Sequence, residues 1–451
     1  MSDHSITPAE SPDEQTLLYA ESLARLIRAE TVSGPGTSGD PKFHAFRELL
    51  KEMYPALFAR AEYTEFTDGF VLRWEGRDPS VRPVLLMNHH DVVEPNGSWR
   101  YGPFSGQIAG GRLWGRGVLD DKGGLWAMLQ AAEELIREEV SPRCSVWFSS
   151  ASTEESTGRG AEEISRWFEE RGVRFRLCLD EGGFIVREPV KGAKGFFAMI
   201  GVGEKGCADL KFTARSRGGH ASTPPKNTPL VRLGRFMAEA DKQRIFDAQL
   251  SPAVCGMLKS IAPYLGGRQA DVLARPEQFR QILVPALTRL SPSVAALLRT
   301  TVAFTMAGGS DGANVLPAEA WIVANMRYSH HQGQKGSIEA IRKLAEKFDI
   351  ETEVLNPGNP SRITDYTREG FAMVRRAVET VFPGVVPVPY LLTGASDARY
   401  FDRISDHTLR FLPFFADGEQ VSSIHGTDEN LNLDTLVPAV KFYKYLMKEV
   451  I

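Results

Sequence analysis

A chain of 451 residues is longer than one hydrophobic core usually supports, so two domains are expected. Hydrophobic residues make up 42% and charged residues 24%, an ordinary globular balance, and 53 basic against 57 acidic side chains leave a formal charge of −4, which argues against nucleic acid or an anionic membrane as the main partner. No apolar run approaches membrane-spanning length, the polar acidic leader MSDHSITPAESPDEQ is unlike a signal or transit peptide, and Cys144, Cys178, Cys207 and Cys255 form no CxxC pair, so a cytoplasmic protein with free thiols is expected.

In chain order, Leu17 to Ala29 has apolar residues at helical spacing, and the glycines and prolines of TVSGPGTSGDP break that helix. Val84 to Met87 is a short, wholly apolar run before His89, which suits a buried strand of an α/β sheet. Gly123 to Glu138 sets Leu125, Met128, Leu129, Ala132, Leu135 and Ile136 on one helical face. Cys144 to Phe148 and Phe175 to Leu179 read as further buried strands. Beyond Phe196, FFAMIGVGEKGCADLKFTARS predicts two strands joined by a glycine turn. Helical pattern follows from Pro229 and dominates Ala240 to Arg299; Trp321 to Met326 then reads as a strand and Ser337 to Phe348 as a helix. This mixture predicts a smaller α+β domain inserted into a larger α/β one, with segments 1–196, 197–357 and 358–451. The α/β character resumes after Asp365 and ends on a helix from Leu436 to Met447.

An ordered set of metal-type residues runs along this framework, just past predicted strand ends, where open α/β sheets place ligands. His89 and Asp91 lie two apart, so on a strand they project to one side. The carboxylate can then hold one ring nitrogen while the other is free for a metal. His90 reads as a polar residue closing the loop. GRLWGRGVLDDKGG puts Asp120 in the turn before a helix, as a helix cap or as a carboxylate able to bridge two metals. Glu154 and Glu155 repel one another; they are either a solvated pair or a pair that divides ligation from proton handling. Asp180-Glu181 ends the next strand, and His425 closes the set. Two histidines with several carboxylates suit zinc, and one acid in excess supplies a base for metal-assisted hydrolysis. Gly201-Val-Gly-Glu-Lys-Gly206 matches a dinucleotide motif, but Ala208 to Ala214 alternates like a strand instead of opening a helix, so a hairpin turn is expected.

Together and in this order, these residues resemble the zinc aminoacylase and carboxypeptidase family, which includes carboxypeptidase S, carnosine dipeptidase and succinyl-diaminopimelate desuccinylase. The likeness covers nearly the whole chain after the leader. In NHHDVVE it implies His89 as a ligand and Asp91 as its orienting carboxylate, with Asn88 and Glu94 standing where glycine and proline are common. GRGVLDDKGG makes Asp120 the bridging ligand, and STEESTGRGAEEI makes Glu154 the general base and Glu155 a ligand. LDEGG resembles the aminoacylase and carboxypeptidase S branch, which selects Glu181 over Asp180, and SSIHGTDENL supplies His425. In the insert, SRGGHASTPP assigns His220 to the oxyanion, often across a dimer interface. GGSDGANVLPAEA points to Asn314, NMRY to Arg327 as the holder of a substrate carboxylate, and TGASDAR to Gly394 in the substrate site.

The resemblance implies a mixed-sheet zinc-peptidase catalytic domain with an inserted α+β lid or dimerisation domain, and a homodimer. It implies two zinc ions per chain, with cobalt or manganese able to use the same ligands. The expected reaction is hydrolysis of the amide bond of a peptide or N-acyl amino acid with a free carboxylate. An N-succinyl-amino-acid desuccinylase, a dinuclear phosphoesterase and a non-catalytic metal-binding scaffold are the alternative readings.

Overall fold

The computed structural model describes residues 12–242, 245–358 and 361–450; most of the polar leader lies outside them. The chain first lays down β1 (Glu62–Phe66), β2 (Gly69–Trp74), β3 (Val84–His89), β4 (Val146–Ala151), β5 (Leu177–Asp180) and β6 (Phe196–Glu204). A second group follows: β7 (Gly206–Arg215), β8 (Thr301–Gly308), β9 (Glu319–Tyr328) and β10 (Glu351–Asn356). The last two are β11 (Val385–Leu392) and β12 (Thr408–Arg410). One mixed sheet runs β1-β2-β4-β3-β5-β12-β6-β11, with the short strand Ile185–Arg187 on β6. A separate sheet runs β8-β9-β7-β10 and is antiparallel throughout.

Every residue of β3 and β4 is buried, the outcome expected of central parallel strands covered on both faces. Helix α1 (Lys122–Arg137) covers one face through Leu125, Trp126, Met128 and Leu129, all without solvent exposure. It begins within a residue of the expected position, and the sequence-predicted first and last helices form as Glu14–Ile27 and Leu436–Tyr445. The antiparallel sheet has a core of its own, in which Leu210, Phe212 and Ile322 meet Leu233 and Phe236 of α2 (Pro229–Asp241) and Ile341 of the helix Gly333–Glu346.

Two expectations need correction. Phe196–Glu204 and Gly206–Arg215 are not a hairpin: β6 pairs with β11 and β12 in the large sheet, whereas β7 pairs with β9 and β10 in the small one. Lys205 is the crossover between the sheets, so the small sheet starts at Gly206 rather than at 197. The helical stretch also does not simply enlarge the small body. Its helices α3 (Pro252–Ile261), α4 (Gly267–Leu273), α5 (Arg280–Leu290) and α6 (Pro292–Leu298) return to the large sheet, where Val254, Leu258 and Leu298 join Phe197, Met199 and Val388 in one apolar cluster. Apolar surface on both sides of that contact drives the return, and periodicity alone does not name the partner. No helix among the described residues is long and apolar enough to cross a membrane.

Candidate metal centre

Strands β3, β4 and β5 run parallel and adjacent, so their carboxyl ends open along one rim. His89 is the last residue of β3, Glu154 and Glu155 lie three and four residues past β4, and Glu181 follows β5 directly. Asp120 arrives from the loop ahead of α1. His425 comes from far along the chain, with a left-handed backbone at φ 60°.

His89 is buried, with Nδ1 3.0 Å from the Asp91 carbonyl oxygen and 3.5 Å from its Oδ1, so its tautomer is held from beneath. Its Nε2 lies 3.0 Å from Asp120 Oδ1. The other Asp120 oxygen lies 3.1 Å from His425 Nε2, which is also 3.0 Å from Glu155 Oε2. One carboxylate thus turns its two oxygens to two different imidazoles. Ligand atoms of His89, Asp120 and Glu155 all lie within 4.8 Å of one another. Glu155 Oε1 is buried without a hydrogen-bond partner, an acceptor left for something positive.

The electrostatics agree. Burial pushes the Glu154 carboxyl well above the usual carboxylate range, and Asp397, Glu155 and Asp120 add to it against His89. Glu181 is raised in the same way by burial and then by Asp120, Asp180 and Asp121. Burial would raise Asp120 too, but hydrogen bonds with His425 and His89 hold it low. Four carboxylates crowded into a low-dielectric pocket repel one another unless a cation joins them. The donor set therefore fits a dication.

His90 is not part of this set. Its ring stacks on Phe46 at 5.3 Å, and its Nδ1 meets Ser150 Oγ at 2.8 Å. Asp180 is also committed elsewhere, accepting from the Ala398 N–H at 2.7 Å, while Glu181 faces the cavity. Some supporting residues escaped the sequence reading. Glu429 accepts from Arg116 Nη1 at 2.7 Å and from the backbone N–H groups of Gly117, Leu119 and Asp120 at 3.0, 2.8 and 3.2 Å, shaping the loop that presents Asp120. Asn88, noted only as a departure from the family pattern, donates to Asp121. The Asp91 carboxylate accepts from Ser33 Oγ at 2.6 Å and from the N–H groups of Glu154 and Glu155 at 3.2 and 3.1 Å. Only the neighbouring Arg116 and Glu429 motifs hinted at any of these contacts.

Asp120, Glu154, Glu155, Glu181 and His425 line a cavity of about 2110 Å³, and Arg327 and Gly394 line it too. Arg327 gives its Nε to Asn325 Oδ1 at 3.0 Å, and its buried Nη1 has no partner. Two cations unforeseen from sequence share the wall: Lys205, which donates to the Arg299 carbonyl at 2.8 Å, and Arg399, 4.0 Å from Glu204. His220 and Asn314 are both exposed and outside this lining. They lie close together on the small body, where Gly219–His220 pairs with Val315–Leu316 and Ala221 donates to the Asn314 carbonyl at 2.9 Å.

An α/β fold that gathers histidines and carboxylates at the carboxyl ends of its parallel strands, with a proton acceptor beside them, defines the class of metal-dependent hydrolases. The sequence profile of peptidase family M20/M25/M40 matches residues 85–449, and the chain belongs to that family of metallopeptidases and amidohydrolases acting on amide bonds. It is 30% identical to the human N-fatty-acyl-amino acid synthase/hydrolase PM20D1 over 96% of this chain and 88% of that one. It shares its fold with the M20 family metallo-carboxypeptidase Sso-CP2 from Sulfolobus solfataricus (TM-score 0.71, 16% identity, 97% and 99% of the two chains covered). It also shares it with the Bacillus subtilis YXEP protein, a dinuclear metal binding peptidase (TM-score 0.58, 13% identity, 96% and 98% covered).

Proposed function

We propose that this chain is a dinuclear zinc hydrolase that cleaves the amide bond of a peptide or N-acyl amino acid carrying a free carboxylate. The observation that carries this reading is the placement of the two Asp120 oxygens against His89 on one side and His425 on the other, as a bridging ligand requires. Glu155 and Glu181 complete the proposed ligand set; cobalt or manganese suits the same donors. When bound, the ions supply Lewis-acid polarisation of the carbonyl and activation of water. Glu154 is the proposed base: its raised pKa suits a group that takes a proton and then returns it to the departing amine. Asp91 orients the His89 ring. The free Nη1 of Arg327 is the proposed seat of the substrate carboxylate, and a Cβ built on Gly394 would meet no atom within 4 Å, leaving room for substrate there. His220 and Asn314, outside the cavity of their own chain, are proposed to serve the oxyanion of a second chain in a homodimer. The four free cysteines favour a cytoplasmic setting.

Screening dipeptides, N-acyl amino acids and N-succinyl compounds on zinc-loaded protein tests the reading. Turnover of substrates with a free carboxylate is expected, with much less on their C-terminal amides. Hydrolysis of phosphate esters without any amide cleavage would replace it with a phosphoesterase.

A further inference from the structure

We propose that the four-helix segment Pro252–Leu298 forms a subsite for a long aliphatic acyl chain, so that the substrate is an amphiphile with its carboxylate near Arg327 and its hydrocarbon tail beneath α3–α6. The inference rests on the amide-hydrolase reading and names the acyl group which that reading leaves open. The cavity holding the metal-type residues measures about 2110 Å³, whereas pockets for drug-sized ligands run to roughly 300–1,000 Å³. A dipeptide at the metal centre leaves most of this space unused.

The extra volume has a distinct chemistry. Leu258, Leu283, Leu287, Val294 and Leu298 of the four helices face it opposite Met199 of β6. The polar residues that these helices add to the lining, Arg268, Gln269 and Ser293, are all exposed. The cations Lys205, Arg327 and Arg399 line the same cavity, together with the metal-type acids. One part therefore suits an anionic head and the other suits hydrocarbon. A peptide in the aliphatic arm would strip water from its backbone amides with few partners in return, a cost that a methylene chain does not incur. Close-packed interiors do not spread four apolar helix faces around such a volume without something apolar to cover them.

The test uses zinc-loaded full-length protein and N-acyl-phenylalanines from acetyl to hexadecanoyl, kept below micelle formation. kcat/KM is expected to rise at least about 100-fold from acetyl to the longer chains, following burial of successive methylenes. Leu287→Trp and Val294→Trp, which narrow the arm at half-buried positions, should lower kcat/KM for hexadecanoyl at least about tenfold more than for acetyl. A flat or falling chain-length profile in protein that hydrolyses the acetyl substrate overturns the acyl subsite and leaves the hydrolase intact. If no amide of any length is cleaved, the hydrolase reading fails, and calorimetric titration decides the subsite alone. Binding of hexadecanoate but not acetate, weakened in both tryptophan variants, supports it; no hexadecanoate binding overturns it.

Discussion

Glu154 and Asp91 separate two kinds of work at the level of single side chains. Glu154→Gln keeps size and hydrogen-bonding capacity but cannot shuttle a proton. It should lower kcat by about 10²–10⁴-fold while metal analysis of the purified variant still finds the wild-type content. Near-normal turnover would assign the base to another residue. Asp91 reaches both His89 and the N–H groups of Glu154 and Glu155. An asparagine there turns an NH₂ toward two donors, so Asp91→Asn should weaken metal binding by about 10–100-fold, measured by competition with a chromogenic chelator. These residues were legible because their spacing and their places after apolar runs carry the chemistry. Glu429 was not, since its partners are backbone N–H groups more than 300 residues away, which leave no pattern in the sequence.

The Gly115–Asp120 loop depends on that distant carboxylate. Glu429 is fully buried, and it satisfies one guanidinium and three amides. Glu429→Ala strands Arg116 and those donors, so it should cost about 3–5 kcal/mol in urea unfolding of metal-free protein. Ser422→Ala, a nearby exposed control, should stay within about 0.5 kcal/mol. A loss confined to the metal-loaded form would show that Glu429 acts on the ligands rather than on the loop. Other elements were read with mixed success for physical reasons. β3 and α1 are set by their own apolar patterns and came out close to the expected spans. The glycine-rich run 201–206 has the same local signature in a hairpin and in a crossover; only pairing to β11 and β9, encoded far downstream, distinguishes them. The helices α3–α6 were legible as helices, but not the sheet on which they settle.

For the whole molecule, removing the metal should matter to stability as well as to turnover. The acids of the centre are left to repel one another, and a ligand at 1,000 times its Kd contributes about 4 kcal/mol. Chelation should lower Tm by several degrees, and zinc should restore it in a calorimetric scan. An unchanged Tm would mean that the centre holds no tightly bound ion. The proposed homodimer makes a separate prediction. Mixing Glu154→Gln with His220→Ala subunits creates heterodimers with one intact site, so activity should return to about one quarter of wild type. No recovery despite confirmed subunit exchange would place His220 in the site of its own chain.

The small sheet joins the large one by four stretches of chain rather than two: at Lys205, before α3, after α6, and between β10 and Thr364, whose N–H donates to the Val202 carbonyl at 2.7 Å. A body on two tethers swings freely as a hinge, but here α6 runs within three residues into β8. Any rotation of the small sheet therefore pulls on the helices that roof the cavity. Opening the cleft at the metal end and loosening the apolar end become a single movement, so both products gain their exits in the same step. Release, rather than bond cleavage, is then the stage at which this linkage sets the pace of the cycle.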